Sequence, residues 1–173
     1  ENVLRTYSSQ VSGATALRKY DYIFPIKPSE QLAGIFADMI GDGHLQGPPK
    51  WRLDYTSKRI SELERFNHEF HNIFQVKGTI RKCNGNKYQT YNLGINNKPI
   101  CRSLWCLGIP IGSKVDQEFS IPSWILENRI FFARFVNRLF SCEGCVDTYS
   151  SCIEIKMHKT RRYIEHGIHF FQD

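Results

Sequence analysis

No apolar run in this 173-residue sequence approaches the roughly 20 residues that cross a membrane. The N-terminus also lacks the charged-then-apolar pattern of a secretory signal, so the sequence predicts an intracellular protein, in the cytoplasm, the nucleoid or an organelle. Acidic residues are scarce, because 17 Asp and Glu face 23 Lys and Arg, which gives a net charge of +6. This excess of positive charge favours a polyanionic partner such as nucleic acid.

The sequence holds six cysteines but no complete zinc-binding pattern. Cys142 and Cys145 have the spacing of half a zinc site, and no second such pair or spaced His pair completes it. Buried reduced thiols are therefore the favoured interpretation. With 41% apolar and 13% aromatic residues, the chain has enough hydrophobic material for a core, and its length suits one or two compact units.

The stretch 32–45, with the sequence LAGIFADMIGDGHL, organises the rest of the chain. As a helix, it places Ala33, Ala37 and Gly41 on one face, where the lack of bulk allows another helix to pack backbone to backbone. The helix is predicted to end at Gly43, because glycine adopts the left-handed conformation that ends helices.

A second stretch, residues 131–144, also closes on an acid followed by glycine, in this case Glu143 and Gly144. Asp42 and Glu143 lie about 100 residues apart, which is the size of a small domain. The chain therefore reads as a repeat whose two copies each begin with such a helix. The two helices are predicted to pair.

Hydrophobic periodicity predicts the order αββαββα for the first copy. Ser29 is the expected N-cap of its first helix. Along a strand at 51–57, Trp51, Leu53 and Tyr55 are predicted to face the helices. The later elements are a helix over 61–74, a hairpin of 78–83 and 88–95 across Asn84-Gly85-Asn86, and a helix over 98–107.

Residues 1–27 form an unassigned N-terminal segment. Within it, 3–7 and 20–24 have the pattern of strands, with a possible turn at Ser12 and Gly13. The segment is interpreted as a hairpin, an arm or a remnant of a host protein.

The repeat divides the remaining chain into a first unit, 28–127, and a second, incomplete unit, 128–173. In the second unit a strand is predicted near 153–157 and a helix over 160–171. The chain ends where a second hairpin and a last helix are expected. Truncation, degeneration, or completion by the N-terminal segment or another subunit are all open interpretations.

Two short motifs resemble the signatures of the LAGLIDADG homing endonucleases: LAGI at 32–35 with GDG at 41–43, and LFSCEG at 139–144. The likeness is closest to the archaeal and intein-borne two-motif branch, and it covers the chain from Ser29 to the C-terminus. The resemblance implies an α+β fold of αββαββα repeats, with paired motif helices and a DNA-binding β-saddle. The second repeat is incomplete here.

Two acids at the C-terminal ends of adjacent helices are disfavoured by the helix dipoles and by each other, so a cation is expected beside them. Mg²⁺, or Mn²⁺, suits carboxylate, water and phosphate oxygens. The resemblance implies that Asp42 and Glu143 each bind metal with a scissile phosphate. A metal-activated water would then attack each strand and leave a double-strand break with short staggered ends.

The resemblance also implies a lysine near each metal centre, which steadies charge on the phosphate or orders water. Lys114 is the predicted match, with Lys98 as the alternative. Asp38, one turn before Asp42, is interpreted as structural or polar support. His44 follows the motif closely enough to reach the site.

DNA recognition would fall to the outward faces of the strands, although polar residues are expected on any open sheet face. Lys82 and Lys87 lie nearer the hairpin loop and are expected on phosphate. The full set of predicted DNA-binding residues is Arg52, Asp54, Thr56, Thr79, Arg81, Lys82, Lys87, Tyr88, Thr90 and Asn92.

The leading hypothesis is a site-specific endonuclease acting on double-stranded DNA with a long recognition site, as a monomer, or as a dimer if the second unit is completed in trans. Its rival is a non-cleaving DNA- or RNA-binding protein on the same fold, such as a splicing maturase or a transcription regulator. A third interpretation is the nuclease insert of an intein. Self-splicing is not expected, because Glu1 and Asp173 are not the nucleophile and terminal Asn that splicing needs.

Overall fold

From residue 30 to residue 106 the helices and strands follow one another in the order that the periodicity predicts. The computed structural model describes residues 3–83, 89–114, 117, 119–147 and 152–155. A 3₁₀ turn (Val3–Thr6), helix α1 (Gln10–Arg18) and a second 3₁₀ turn (Asp21–Ile23) come first. The next elements are α2 (Glu30–Ile40), β1 (Gly43–Gln46), β2 (Arg52–Ser57), α3 (Ile60–Phe74), β3 (Thr79–Lys82), β4 (Tyr91–Ile95) and α4 (Lys98–Cys106). The predicted order αββαββα is confirmed.

Helix α2 is the most deeply buried element among the described residues. It begins at Ser29, whose hydroxyl accepts a hydrogen bond from the backbone N–H of Leu32 at 3.1 Å, as predicted for an N-cap. Every residue over 32–40 is buried. Because all of its faces are covered, α2 forms the centre of the core rather than an amphipathic surface helix.

Strands β1 to β4 form one antiparallel sheet in the order β1-β2-β4-β3. Trp51, Leu53 and Tyr55 are each 2% exposed or less and face the helices, as predicted from their alternation. The helix predicted over 61–74 is confirmed as α3, whose Leu63, Phe66, Phe70 and Phe74 are fully buried. The helices cover one side of the sheet and leave the other side open.

The chain continues through α5 (Ser123–Leu126), α6 (Arg129–Glu143), β5 (Gly144–Asp147) and β6 (Cys152–Ile155). Asn128 caps α6, since its side-chain oxygen accepts hydrogen bonds from two backbone N–H groups, at 3.0 and 3.2 Å. Strands β5 and β6 pair antiparallel. The helix predicted over 160–171 and the turn at 84–86 lie outside the described residues. Within the described part, no helix is long and apolar enough to span a membrane.

The predicted pairing of the two motif helices is confirmed, because α2 and α6 pack side by side. The two segments are in close contact at Gly41, where an added Cβ would lie 2.6 Å from the Cβ of Cys142. A side chain at Gly41 would therefore separate the helices.

The predicted helix end is wrong in its geometry. Helix α2 ends at Ile40, and Gly41 has φ −68°, so the left-handed cap expected at Gly43 is not used. Gly43 instead opens strand β1. Its small size is required because an added Cβ would lie 2.6 Å from the Cα of Met39. Space, and not backbone handedness, demands glycine here.

The strands expected in the N-terminal segment are also wrong, because this segment is helical. Ser9 caps α1 by accepting a hydrogen bond from the Ser12 N–H at 3.4 Å. Gly13 lies inside α1, where an added Cβ would lie 2.9 Å from the ring of Tyr7. Local capping and this ring contact outweigh the weak alternation of apolar residues.

Arg102 of α4 holds the N-terminal segment against α4 and the residue that precedes β2. Its guanidinium lies over the rings of Tyr7 and Trp51, 4.1 and 4.4 Å from their centroids. It also donates hydrogen bonds to the carbonyl and hydroxyl oxygens of Thr6. The segment is therefore packed against the core.

Among the cysteines with described side chains, Cys101 is buried, whereas the other three are partly exposed.

Candidate functional site

The C-terminal ends of α2 and α6 lie together. Asp42 follows the end of α2 by two residues, and Glu143 is the last residue of α6. Gly41 and Cys142 are in close contact, and Asp42 and Glu143 are the next residues along the chain. Asp42 is exposed and Glu143 is partly exposed. Both residues are thus placed at one end of the helix pair, where solvent and ligands have access.

The pKa of the Cys142 thiol is raised both by its burial and by the acids of the first motif. Burial raises the pKa of Cys142 to about 12, and the negative charges of Asp38 and Asp42 act in the same direction.

Lys114 lies at the end of α2, where the sequence predicts a cation. Its Nζ donates hydrogen bonds to four backbone carbonyl oxygens, at 3.0 Å for Met39, 2.9 Å for Ile40, 2.6 Å for Gly41 and 2.7 Å for Gly43. Lysine near the last carbonyls of a helix interacts favourably with the helix dipole. The catalytic role predicted for Lys114 remains a prediction. Its alternative, Lys98, is exposed at the start of α4.

The donor set at this end suits a metal ion that binds together with a phosphate. Among the described residues, no group of three or more His, Cys, Asp or Glu could hold a metal ion. Mg²⁺, however, usually keeps several waters and uses one or two carboxylates together with substrate phosphates. Asp42 and Glu143 provide two carboxylates of this kind. These residues therefore fit a divalent ion bound with substrate, and do not form a closed protein cage.

A buried ionic network begins at Asp38, one helical turn before Asp42. Asp38 is 1% exposed and forms a bidentate salt bridge with Arg65 of α3, with both N–O distances at 2.9 Å. Burial raises the pKa of Asp38 to about 6, and Arg65 acts to lower it. The structure thus places Asp38 as a polar link between α2 and α3, which agrees with its interpretation as support.

The same network reaches α6 through Glu69. Its carboxylate contacts Arg65 at 3.1 Å, Arg134 at 2.6 Å and Arg138 at 3.7 Å. Gly34 leaves room for these arginines, because an added Cβ would lie 3.2 Å from the Nε of Arg134. The sequence analysis missed this set of residues.

A signal for this network was present in the sequence. Arg134 and Arg138 are four residues apart and share one helix face, and Glu62 and Glu69 are seven apart on another. Arg138 also lies 3.8 Å from Glu62. The two charged faces are complementary, but only the fold shows that they meet.

The open face of the sheet carries the predicted DNA-binding residues of β2. Arg52 and Asp54 are joined at 2.7 Å, and Asp54 also accepts a hydrogen bond from Gln46 at 3.0 Å. Thr56 accepts a hydrogen bond from Asn92 of β4 at 3.1 Å. Gln46, which was not predicted, belongs to this face. These contacts orient the side chains before any ligand binds.

His44 lies in β1 opposite Asp54 and is exposed on the same face. It therefore stands next to the motif and beside the candidate DNA-binding residues.

Strand β3 continues the open face at the edge of the sheet. Thr79 and Arg81 are exposed and lie opposite Gly94 and Asn92 of β4. Lys82 is exposed but takes the alternate position in the strand, so it does not share the face of Arg81. Thr90 is partly exposed, just before β4. Lys87 and Tyr88 lie outside the described residues.

Paired helices with acids at one end, next to an antiparallel sheet with an open polar face, define a homing-endonuclease fold. The structure of the homing endonuclease I-WcaI bound to its DNA recognition sequence matches this fold with a TM-score of 0.56. The match covers 88% of this chain and 70% of that one, at 15% sequence identity. Identity at this level shows the fold alone.

Curated relatives match this chain over only a small part of their own length. The chain is 30% identical over 136 residues to the glutamine–fructose-6-phosphate aminotransferase of Methanocaldococcus jannaschii, which covers 78% of this chain and 12% of that protein. It is 33% identical over 129 residues to the replication factor C small subunit of the same organism, which covers 66% of this chain and 7% of that protein. No family model matches the chain.

Proposed function

We propose that the protein is a site-specific DNA endonuclease of the LAGLIDADG homing type. The observation that carries this proposal is the contact between Gly41 and Cys142, because it brings Asp42 and Glu143 to the same end of two packed helices. Two acids placed in this way, beside an open and partly basic sheet face, suit a reaction at a phosphodiester.

Asp42 and Glu143 would hold Mg²⁺ or Mn²⁺ in this proposal, since both are accessible carboxylates and their number matches what such ions take from protein. A bound divalent ion would supply Lewis-acid stabilisation of the phosphate and an activated water. The role of the two helices is to fix the spacing between the acids. Lys114 would assist indirectly, because its ammonium group holds the Gly41 and Gly43 carbonyls on either side of Asp42.

The sheet would position the duplex. Exposed Arg81 is suited to phosphates, whereas Arg52, Asp54 and Asn92 are held by side-chain hydrogen bonds in fixed positions that suit contacts to base edges. The partner in this proposal is double-stranded DNA with a long recognition site, bound by one chain or by a dimer.

We infer further that the segment is carried inside host proteins, in the manner of an intein-borne nuclease. Its two curated relatives have different named activities, yet each resembles this chain over only 12% or 7% of its length. A stretch shared by two such different proteins does not provide either named activity. The shared stretch is therefore best explained as an insert, which supports the archaeal and intein-borne interpretation.

The second candidate is a DNA- or RNA-binding protein without cleavage. One observation favours it: Lys114, which the family resemblance assigns to catalysis, is hydrogen-bonded to four backbone carbonyls. An ammonium held in this way supports structure even if no phosphate is ever attacked.

Incubation of the protein with Mg²⁺ and a library of long random-sequence duplexes separates the two candidates. The endonuclease would produce a subset of cut molecules whose ends share a sequence, and EDTA would prevent this. Selective retention of a sequence on the protein without cut ends, in Mg²⁺ and in Mn²⁺, would instead identify the binding protein. If the protein shows neither cleavage nor selective retention of a sequence, both candidate functions are contradicted.

A further inference from the structure

Four carbonyl oxygens at the end of α2 converge on a single point, and the Nζ of Lys114 occupies it. The distances, 2.6 to 3.0 Å, belong to the carbonyls of Met39, Ile40, Gly41 and Gly43. An ammonium has three N–H donors, so four acceptors at this range surround it as oxygens surround a monovalent cation. We call these four oxygens the carbonyl site.

The carbonyl site has a clear electrostatic origin. The last carbonyls of a helix have no intrahelical partner and carry the partial negative charge of the helix dipole. Three of the four acceptors belong to the last turn of α2 and its cap, and the fourth comes from the first residue of β1. Without a cation, four oxygens with partial negative charge would face one another.

The loop that carries Lys114 is held in place independently. Ile111 forms a parallel bridge with Leu45 of β1, and the N–H of Gly112 donates a hydrogen bond to the Leu45 carbonyl at 2.9 Å. Gly112 has φ +76°, a backbone conformation that favours glycine. Lys114 therefore extends towards α2 from a fixed turn.

Asp42 lies between two of the carbonyls that Lys114 contacts. It is flanked by Gly41 and Gly43, and contacts with Cys142 and Met39 leave no room for larger residues at either position. The hydrogen bonds from Lys114 to the Gly41 and Gly43 carbonyls hold the backbone on both sides of Asp42.

We propose that Lys114 is a tethered monovalent cation that occupies the carbonyl site and holds the backbone on both sides of Asp42. The site differs from the proposed divalent site, because Mg²⁺ binds oxygen at about 2.0–2.1 Å and the carbonyl oxygens stand farther from the central atom. Carbonyl oxygens at these longer distances suit ammonium or potassium ions. The proposal does not depend on whether the protein cleaves DNA.

The first test uses the full chain without DNA and without divalent ions. Lys114→Met keeps most of the side-chain stem and removes the charge, and should lower the melting temperature by about 4–8 °C. Lys27→Met, at an exposed lysine, is the matched control and should leave the melting temperature unchanged. Ammonium or potassium chloride should restore part of the loss, whereas tetramethylammonium chloride at equal ionic strength should not, because that ion is too large for the site. The wild-type protein should not distinguish these salts.

The proposal is overturned if Lys114→Met melts like the wild type, or if the three salts act on it equally. A second measurement covers the case in which Lys114→Met does not fold. Acetylation of the wild-type protein with a limiting amine-reactive reagent, read by peptide mass spectrometry, should modify Lys114 at least tenfold more slowly than Lys27. Equal rates would show that the carbonyl site does not hold the ammonium. Both tests give the same result whether or not the proposed nuclease activity exists.

Discussion

The Nη2 of Arg134, on the second motif helix, lies 2.6 Å from the Oε1 of Glu69 on α3. Asp38 of the first motif helix is joined to Arg65 on the same α3. Helix α3 is thus joined by ion pairs to both motif helices. Because the same helix is linked to each of them, α3 restrains how far one motif helix is advanced relative to the other.

The carboxylates of Asp42 and Glu143 are predicted to be needed for cleavage but not for binding. Asp42→Asn or Glu143→Gln should abolish double-strand cleavage, because each removes a proposed metal ligand while the sheet stays intact. DNA affinity should remain within about 1 kcal/mol of wild type. Gel-based cleavage and fluorescence-anisotropy binding on the same duplex check both parts. Undiminished cleavage by either variant would refute the assignment.

Removal of the Glu69 charge is predicted to destabilise the helix arrangement. Glu69→Gln leaves Arg134 and Arg138 without their shared carboxylate, and should cost about 2–3 kcal/mol. The value is smaller than for a fully buried pair, because the two arginine side chains are 25% and 14% exposed. Urea unfolding measures it.

Glu64→Gln is the matched control for this experiment, because Glu64 is exposed on the same helix. It should change the free energy of unfolding by less than about 0.5 kcal/mol. Equal effects of the two variants would mean that the network contributes nothing specific.

The contact of Gly41 with Cys142 is predicted to be sterically strict. Gly41→Ala places a methyl group 2.6 Å from the Cβ of Cys142, and should cost about 1–3 kcal/mol through overpacking. Cys142→Gly should recover part of that loss in the double variant, since it removes the opposing atoms. Thermal unfolding of the single and double variants gives the coupling. Additive effects would show that the two residues do not meet.

Gly94 is predicted to control the position of Arg52 on the open sheet face. An added Cβ at Gly94 would lie 2.7 Å from the Nη2 of Arg52, so Gly94→Ala should displace the guanidinium from its place beside Asp54. That guanidinium is the end of a flexible side chain, and stability should change by less than about 1 kcal/mol. Discrimination among DNA sites should weaken by about 1–3 kcal/mol at one base pair. Competition binding with single-base variants of a selected site measures this.

Thr79→Ala serves as the control, because Thr79 faces Gly94 from the other side and does not hold Arg52. A loss of discrimination at the same base pair in both variants would contradict a specific role for Arg52.

Sequence periodicity was sufficient for the elements that bury one face. Trp51, Leu53 and Tyr55 alternate, and Leu63, Phe66 and Phe70 recur at helical spacing, because burial against the core selects those positions. The small residues Ala33, Ala37 and Gly41 on one helix face also predicted the helix pair correctly. In these places the local pattern and the tertiary contact have the same cause.

The remaining features depend on residues that are far apart in sequence. Nothing near Tyr7 shows that Arg102 will stack on it, so the helical N-terminal segment was misread as strands. The approach of Lys114 to the Gly43 carbonyl is likewise set by the loop that bridges to β1. Such contacts follow from the completed fold and have no periodic signature.

The two motif helices carry different side chains at equivalent positions. The offset between Asp42 and Glu143 places Ala33 and Ala37 of α2 at the positions of Arg134 and Arg138 of α6. Two copies of the first half could not replace this pair, because Glu62 and Glu69 of α3 would then meet alanines and would share Arg65 of their own helix as counterion. The halves are therefore not interchangeable. A hybrid that joins residues 28–127 to another second half requires arginines at both of these positions.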